Sequence, residues 1–562
     1  MRSTRSASQI SRNSFKTVPK AASMDKNIQA SLDHDGILLA RIDMPGRAMN
    51  VFSADMMDSL EGLLNHVDAT PAVKAVVITS GKTSFLVGAD LDMIRMFAEV
   101  AGAGTDAALH ALFGRLSGLF RRLEKSAKPY VAAINGLALG GGLEVALACH
   151  ERVVANDKSV QLGLPEIRLG LLPGAGGTQR LPRLIDAGEA MRMLLSGAPV
   201  SSARALELGL VQELVAPDQL IAAACRRALA LTDARAPWDI PGRAFDAAPF
   251  DFSKADAAEH IAAWVGVTGS QRSRYPAFDA IMQCVIDGWK LPMDDACHRE
   301  MAIFVKLMRN PVAGNMVRTL FLNRQRAARE GLPPESLSGA RVALAGSNTN
   351  TIQALLLKNK APLIEASVVT DQDIVLLTGD VNLVAGKKIA WLRDERTASK
   401  DAVAGCWLAD PTEHGCAAEI VVQNGDQALA LVDAGKKLAQ WLRATVLLTS
   451  GRRAFLSVLA EAQTAARKAA CSEDEELLVV ALAAAGAWVE GGIGDIENAD
   501  VAAVLSGMHP AFTGGPFTYL RQTGFEQIAA KAAHAAQRHS TALFSLPSGL
   551  ESLFDVPTGA RG

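Results

Sequence analysis

The stretch "INGLALGGGLEVALACHERVVANDKSVQLGLPEI", Ile134 to Ile167, sets Gly140, Gly141 and Gly142 just ahead of Glu144 and keeps a second carboxylate, Glu166, between Pro165 and Ile167. Glycine lets a backbone approach a ligand closely and adopt conformations closed to other residues. With a helix beginning near Leu143, the N–H groups around Gly141 and Gly142 lie unpaired at its positive end. Such a place stabilises a negative charge developing on a carbonyl oxygen. Glu144 then falls on the first turn, beside whatever the pocket holds, and Pro165 ends the strand ahead of Glu166. Two carboxyl groups in apolar surroundings have their proton affinities pushed apart and can serve as acid and base. Spacing alone leaves a plainer reading open, with the glycines as a tight turn and Glu144 as a residue that complements the helix dipole.

The rest of the chain bounds what this segment belongs to. At 562 residues it exceeds a single core, and roughly 150 residues per domain gives three or four units. Hydrophobic residues make up 49% and charged residues 21%, the balance of an ordinary globular protein. A net charge of −2 gives no reason to expect nucleic acid or an anionic membrane surface. The apolar run from Leu477 to Val489 is shorter than the ~20 residues a membrane helix needs, so no transmembrane segment is expected. The 7 cysteines are scattered without C-x-x-C spacing, which argues against a disulfide scaffold or a zinc site and for a reducing compartment.

Residues 1–24 read as a disordered leader: Arg2, Arg5, Arg12, Lys16 and Lys20 stand among serines with no acid. That composition also suits a mitochondrial transit peptide. The Ala- and Arg-rich remainder favours a bacterial cytoplasm, with the mitochondrial matrix as the alternative.

From about residue 27 to 190 the pattern alternates strand and helix. "GILLARIDM" and "VKAVVITSG" read as strands around a helix from Ser53 to Val67; "YVAAING" reads as a buried strand and "LEVALACHE" as a helix. Repeated strand–helix units predict an α/β layered domain. From about 195 to 330 the strand signals are almost lost, and "GLPPESLSGA" (Gly331 to Ala340) is a boundary rich in Pro, Ser and Gly. Short strands follow to about residue 450, then helices.

Four segments carry a resemblance: "SFLVGADLDMI", "AINGLALGGGLEVALACH", "LGLPEIRLGLLPGAGGTQRLPR" and "GLVQELV". In this order and spacing they resemble the crotonase superfamily, the enoyl-CoA hydratases and isomerases, over roughly residues 30 to 215. The resemblance implies a crotonase-type β/α spiral domain. It also implies an oxyanion hole for a thioester carbonyl at the backbone N–H groups of Ala89 and Gly141, with Glu144 and Glu166 as catalytic residues. Gly174 matches a glycine whose backbone lies against the reacting site, and Gly174, Gly88 and Gly142 are expected to position the substrate. In the hydratases the two glutamates hold and activate a water that adds at C3 while a proton is delivered at C2. No metal or redox cofactor is required.

The remaining residues look like the alpha subunit of the fatty-acid oxidation multienzyme complex, through "FVKLMRNPVAGNMVRTLFLNRQ", "AAEIVV" and "MHPAFTGGPFTYLRQTG". This implies a hydratase domain over 25–215, a helical linker over 216–337, a degenerate NAD-binding-like (Rossmann-like) domain over 338–450 and a helical dehydrogenase-like domain over 451–562. Dinucleotide binding needs G-x-G-x-x-G between strand and helix. Here Gly346 keeps the first position while Asn348 and Thr351 replace the other two glycines. Trp407 stands where the resemblance places a catalytic histidine and Asp410 where it places an asparagine; an indole cannot accept a hydroxyl proton as imidazole does. His414 reads as a lone exposed histidine.

The expectation is an enoyl-CoA hydratase of beta-oxidation that binds no NAD and has an inactive dehydrogenase-like half. A bifunctional hydratase–dehydrogenase, an enoyl-CoA isomerase and an assembly scaffold for a thiolase subunit are the alternatives. The expected partners are an acyl-CoA substrate and a thiolase subunit, in an oligomer.

Overall fold

The computed structural model describes residues 26–346, 350–378, 386–391, 404–422, 428–450 and 453–555. The leader read over residues 1–24 lies outside the described residues. Two compact units emerge, one ending at Gly314 and the next beginning at Asn315.

In the first unit the strands are β1 (Ile28–Leu32), β2 (Ile37–Ile42), β3 (Ala75–Ser80), β4 (Leu86–Val87), β5 (Tyr130–Ile134), β6 (Ala138–Leu139), β7 (Glu151–Ala155), β8 (Gln161–Gly163), β9 (Val200–Ser201) and β10 (Glu213–Val215). Six of them form one sheet in the order β1-β2-β3-β5-β7-β10. Only its β1–β2 hairpin is antiparallel; the other pairings are parallel. Its central strands β3 and β5 are buried at every residue. A continuous apolar run without alternation is what a parallel strand covered on both faces requires.

Helix α1 (Ala54–Ala69) starts where the Ser53 side chain accepts the Met56 amide, and it buries Met56, Leu60, Leu63, Leu64 and Val67. That spacing of three and four residues is one face of a helix.

The second sheet, ordered β4-β6-β8-β9, is built from strands of two or three residues. Strands β4, β6 and β8 run parallel, in the register Leu86–Ala138–Leu162 and Val87–Leu139–Gly163. The three segments that follow them all leave the same edge of this sheet.

Helix α2 (Gly141–Ala148) begins two residues before the expected Leu143, so Gly141 and Gly142 are its first residues. It also stops earlier than the run "LEVALACHE" suggests, with Glu151 opening β7. The sheet captures the chain there: the His150 amide donates to the Tyr130 carbonyl (2.9 Å), and the Tyr130 amide donates to His150 Nδ1 (3.0 Å). Helix α3 (Gly177–Leu184) follows the site, and α4 (Ala277–Gly288) and α5 (Met293–Met308) pack against it. Both lie within the stretch read as helical linker.

The second unit holds a seven-stranded sheet whose edge strands are Leu363–Ile364, beside Val342–Gly346, and Thr445–Ser450. It is parallel except where Ala404–Leu408 meets Ala417–Val422. Val342, Ile374, Leu376, Ile389 and Ile420 share a core with Leu431, Leu438 and Leu442 of the helix Ala428–Leu442. Helices fill the sequence from Phe455 to Asp555. The apolar run ending at Val489 lies in the helix Glu473–Val489, started by a capping box between Ser472 and Glu475. Among the described residues, no helix is long and apolar enough to cross a membrane.

Candidate functional site

The site forms at the carboxyl ends of β4, β6 and β8, the edge of a parallel sheet where ligands characteristically bind. Gly88 follows β4 with φ +64°, and its amide donates to the Leu139 carbonyl at 2.8 Å. Gly140 follows β6 with φ +56°, and its amide donates to the Gly163 carbonyl at 2.9 Å. These two amides close the sheet. The next amide in each segment, that of Ala89 and that of Gly141, donates to no protein acceptor among the described residues.

Gly142 is required by packing: a Cβ there would sit 1.9 Å from the Leu86 carbonyl oxygen. The glycine lets α2 settle directly on β4, which holds its amino end beside Ala89.

Glu166 lies in the short 3₁₀ helix Pro165–Leu169 that follows β8. A Cβ at Gly140 would lie 2.8 Å from Glu166 Oε1 and 3.4 Å from Gly88 Cα, so the carboxyl group reaches the point where the three segments meet. The side chain is half-buried, yet its Oε2 is enclosed and has no hydrogen-bond partner. Burial, then the charges of Glu144 and Glu300, push its pKa well above the usual carboxyl range.

Glu144, in the first turn of α2, is 3% exposed. Its Oε1 accepts the amides of Ala175 and Gly177, both at 2.8 Å. Burial raises its pKa, while those two amides and the Arg180 guanidinium work against the rise. Arg180 is fully buried, pairs with Glu124, and donates to the Ala175 carbonyl at 2.6 Å. The same peptide segment is thus held at its carbonyl by a cation while its amide holds Glu144.

Gly174 stands at the other side of this turn, where a Cβ would meet the Phe304 ring at 3.3 Å. Phe304 packs edge-on against Phe113, with centroids 5.7 Å apart. A third carboxylate, Glu300 of α5, is fully buried and accepts the amides of Gly176 (2.7 Å) and Thr178 (3.2 Å) and the Thr178 hydroxyl. Burial, followed by the Glu144 charge, pushes its pKa up to about 8. Sequence reasoning missed Glu300 and Phe304. Their signal is a lone acid and an aromatic on the buried stripe of a helix, with Cys297, Met301 and Met308 at spacings of three and four.

In the second unit Gly346 ends its strand with φ +121°. Asn348 lies outside the described residues, as does the side chain of Thr351, whose backbone is in the helix Asn350–Lys358. Trp407 is half-buried and pairs in register with Glu419 on the neighbouring strand. Glu419 is fully buried and accepts the Phe455 and Leu456 amides (2.6 and 2.8 Å) and the Thr449 hydroxyl (2.5 Å). It serves as the amino-terminal cap of the helix Phe455–Lys468. His414 is half-buried rather than exposed, because its turn is drawn in by Arg324, which donates to its carbonyl at 2.6 Å. Asp410 is exposed.

Two carboxyl groups of unlike environment, Glu144 buried and Glu166 half-buried, thus lie beside two amides without a protein acceptor among the described residues, at one edge of a small sheet in an α/β unit. Residues 34–238 match the family described as enoyl-CoA hydratase/isomerase. The similarity to that family lies within the first unit. It is 33% identical over 334 residues to the fatty acid oxidation complex subunit alpha of Idiomarina loihiensis, covering 58% of this chain and 45% of the relative. The protein of the same description from Shewanella amazonensis is 36% identical over 295 residues, 51% of this chain and 40% of the relative. The alignments thus span less than half the length of these relatives. Among solved structures, Pseudomonas aeruginosa DspI is 34% identical, covering 38% of this chain and 77% of that one, with a TM-score of 0.33.

Proposed function

We propose that the first unit is an enoyl-CoA hydratase that adds water across the double bond of a 2-enoyl-CoA in fatty-acid beta-oxidation. The observation that carries this reading is the contrast between the two glutamates. Glu144 has two amide donors and Arg180 to favour its ionised form, whereas Glu166 has an enclosed oxygen without a partner and two carboxylates raising its pKa. Environments that push two carboxyl groups apart assign a base and an acid.

Glu144 takes a proton from the water whose oxygen bonds to C3. Glu166 gives its proton to C2, and the proton on Glu144 then passes to Glu166, directly or by exchange through solvent, restoring both groups. The thioester carbonyl gains negative charge as C3 is attacked, and the amides of Ala89 and Gly141 are free to bind that oxygen. Hydration of crotonyl-CoA, followed by loss of the enoyl-thioester absorbance, tests the proposal.

The second unit is proposed to lack dehydrogenase activity and NAD binding. The support is Trp407 at the position of the general base, together with the commitment of Glu419 to a helix cap. The relatives are subunits of a fatty acid oxidation complex, which supports an assembly role beside hydration, with a thiolase subunit as the partner in a cytoplasmic oligomer. Co-elution with the thiolase of the same source at micromolar concentration is the expected result; separate elution contradicts it.

A further inference from the structure

Four successive amides between Gly174 and Gln179 are divided between two carboxylates. Ala175 and Gly177 donate to Glu144, at 2.8 Å each, while Gly176 and Thr178 donate to Glu300, at 2.7 and 3.2 Å. The Thr178 hydroxyl adds a further bond to Glu300 Oε2. Glu300 lies on α5, beyond the residues that match the family, and joins the turn across 124 positions of sequence. We infer that Glu300 is a positioning residue for hydration: it fixes the turn so that the Ala175 and Gly177 amides aim at Glu144. This inference rests on the hydratase reading.

The physical case is one of register. Glu144 accepts both of its amides on a single oxygen, so a small rotation of the turn breaks two bonds to the base at once. Two oxygens of Glu300 hold the alternate amides, and with them the turn's orientation. A fully buried acid with only a packing role would be replaced at little cost by an apolar side chain. Here it satisfies two backbone donors and a hydroxyl that would otherwise be unpaired.

The charged and titratable groups facing Glu300 are Glu144 from α2, Glu166, Arg180 and Arg183 from α3, Cys284 from α4 and Cys297 from its own helix. Among them Glu166 responds to its charge, which helps hold the proton of Glu166. With its own pKa pushed up to about 8, Glu300 carries that charge on the alkaline side.

Glu300→Gln keeps the volume but leaves one carbonyl oxygen for two amides and sets an NH2 group against an N–H donor. The full-length variant is expected to lose about tenfold to a hundredfold in kcat for crotonyl-CoA, as a misaimed catalytic group does. KM should stay within roughly threefold. Removing a negative charge beside a carboxyl group lowers its pKa, so the alkaline limb of the kcat profile should move to lower pH. A purely structural Glu300 would not move that limb. Thr178→Val removes only the hydroxyl donor and serves where Glu300→Gln does not fold; its kcat should fall by about twofold to tenfold. A folded Glu300→Gln enzyme with wild-type kcat and alkaline limb overturns the inference, as does a fully active Thr178→Val enzyme. A wild-type chain without hydration overturns the hydratase reading itself, and this inference with it.

Discussion

Glu144 and Glu300 share one turn: Glu144 takes the amides of Ala175 and Gly177, and Glu300 takes those of Gly176 and Thr178. Glu144, the proposed base, is therefore held through backbone that a second acid also holds. Glu166 has no hydrogen bond at Oε2, which suits it to the role of the proposed acid.

The first prediction follows from that difference. Burial raises the Glu166 pKa well above the usual carboxyl range, so kcat for hydration should hold past that range and fall only as this proton is lost at higher pH. Glu166→Gln should flatten the alkaline limb and cost on the order of 10²–10⁴ in kcat. A pH–rate series on both proteins checks this. An alkaline limb in the ordinary carboxyl range would contradict the assignment.

Neighbouring glycines should fail in different ways. Gly141→Pro removes one unpaired amide and is expected to cost on the order of 10²–10³ in kcat while circular dichroism shows a folded protein. Gly142→Ala drives a Cβ to 1.9 Å from the Leu86 carbonyl and should destabilise the fold by about 1–3 kcal/mol, seen as a lower Tm. A fully active, folded Gly141→Pro enzyme would remove the amide from the mechanism.

Much of this site is legible in the sequence because its parts are local. Ala89, Gly141 and Glu166 each sit within a few residues of a short strand end, and "FLVGA", "LALGG" and "QLGLPE" carry those ends as visible motifs. The start of α2 is less legible, since three adjacent glycines permit several first residues; the contact of Gly142 with Leu86 selects Gly141. Glu300 and Phe304 have no local mark. They reach the site by the packing of α5 on α3, and only an acid on an otherwise apolar stripe hints at it. Likewise, the half-burial of His414 depends on Arg324, ninety residues away.

In the second unit, Glu419→Ala should leave the amides of Phe455 and Leu456 and the Thr449 hydroxyl without their acceptor. Each buried donor left unpaired costs about 1–3 kcal/mol. Thermal unfolding of the full chain should show an earlier transition, with the hydration rate of the folded protein unchanged. No shift in unfolding would mean that Glu419 is not the cap described.

Isothermal titration with NADH should give no heat of binding at micromolar concentration, and 3-hydroxyacyl-CoA with NAD should give no NADH. The grounds are the side chains in place of glycine at 348 and 351 and the indole of Trp407. Turnover above about 1 s⁻¹, the low end of ordinary enzyme rates, would contradict this.

The central claim is that Glu144 and Glu166 hydrate an enoyl thioester, and the initial rate of crotonyl-CoA hydration by wild type and by Glu144→Gln tests it most directly. The account predicts turnover of at least about 1 s⁻¹ for wild type and a loss on the order of 10²–10⁴ for the variant. A wild-type chain that leaves crotonyl-CoA unchanged, or a Glu144→Gln protein within roughly threefold of wild type, would contradict it.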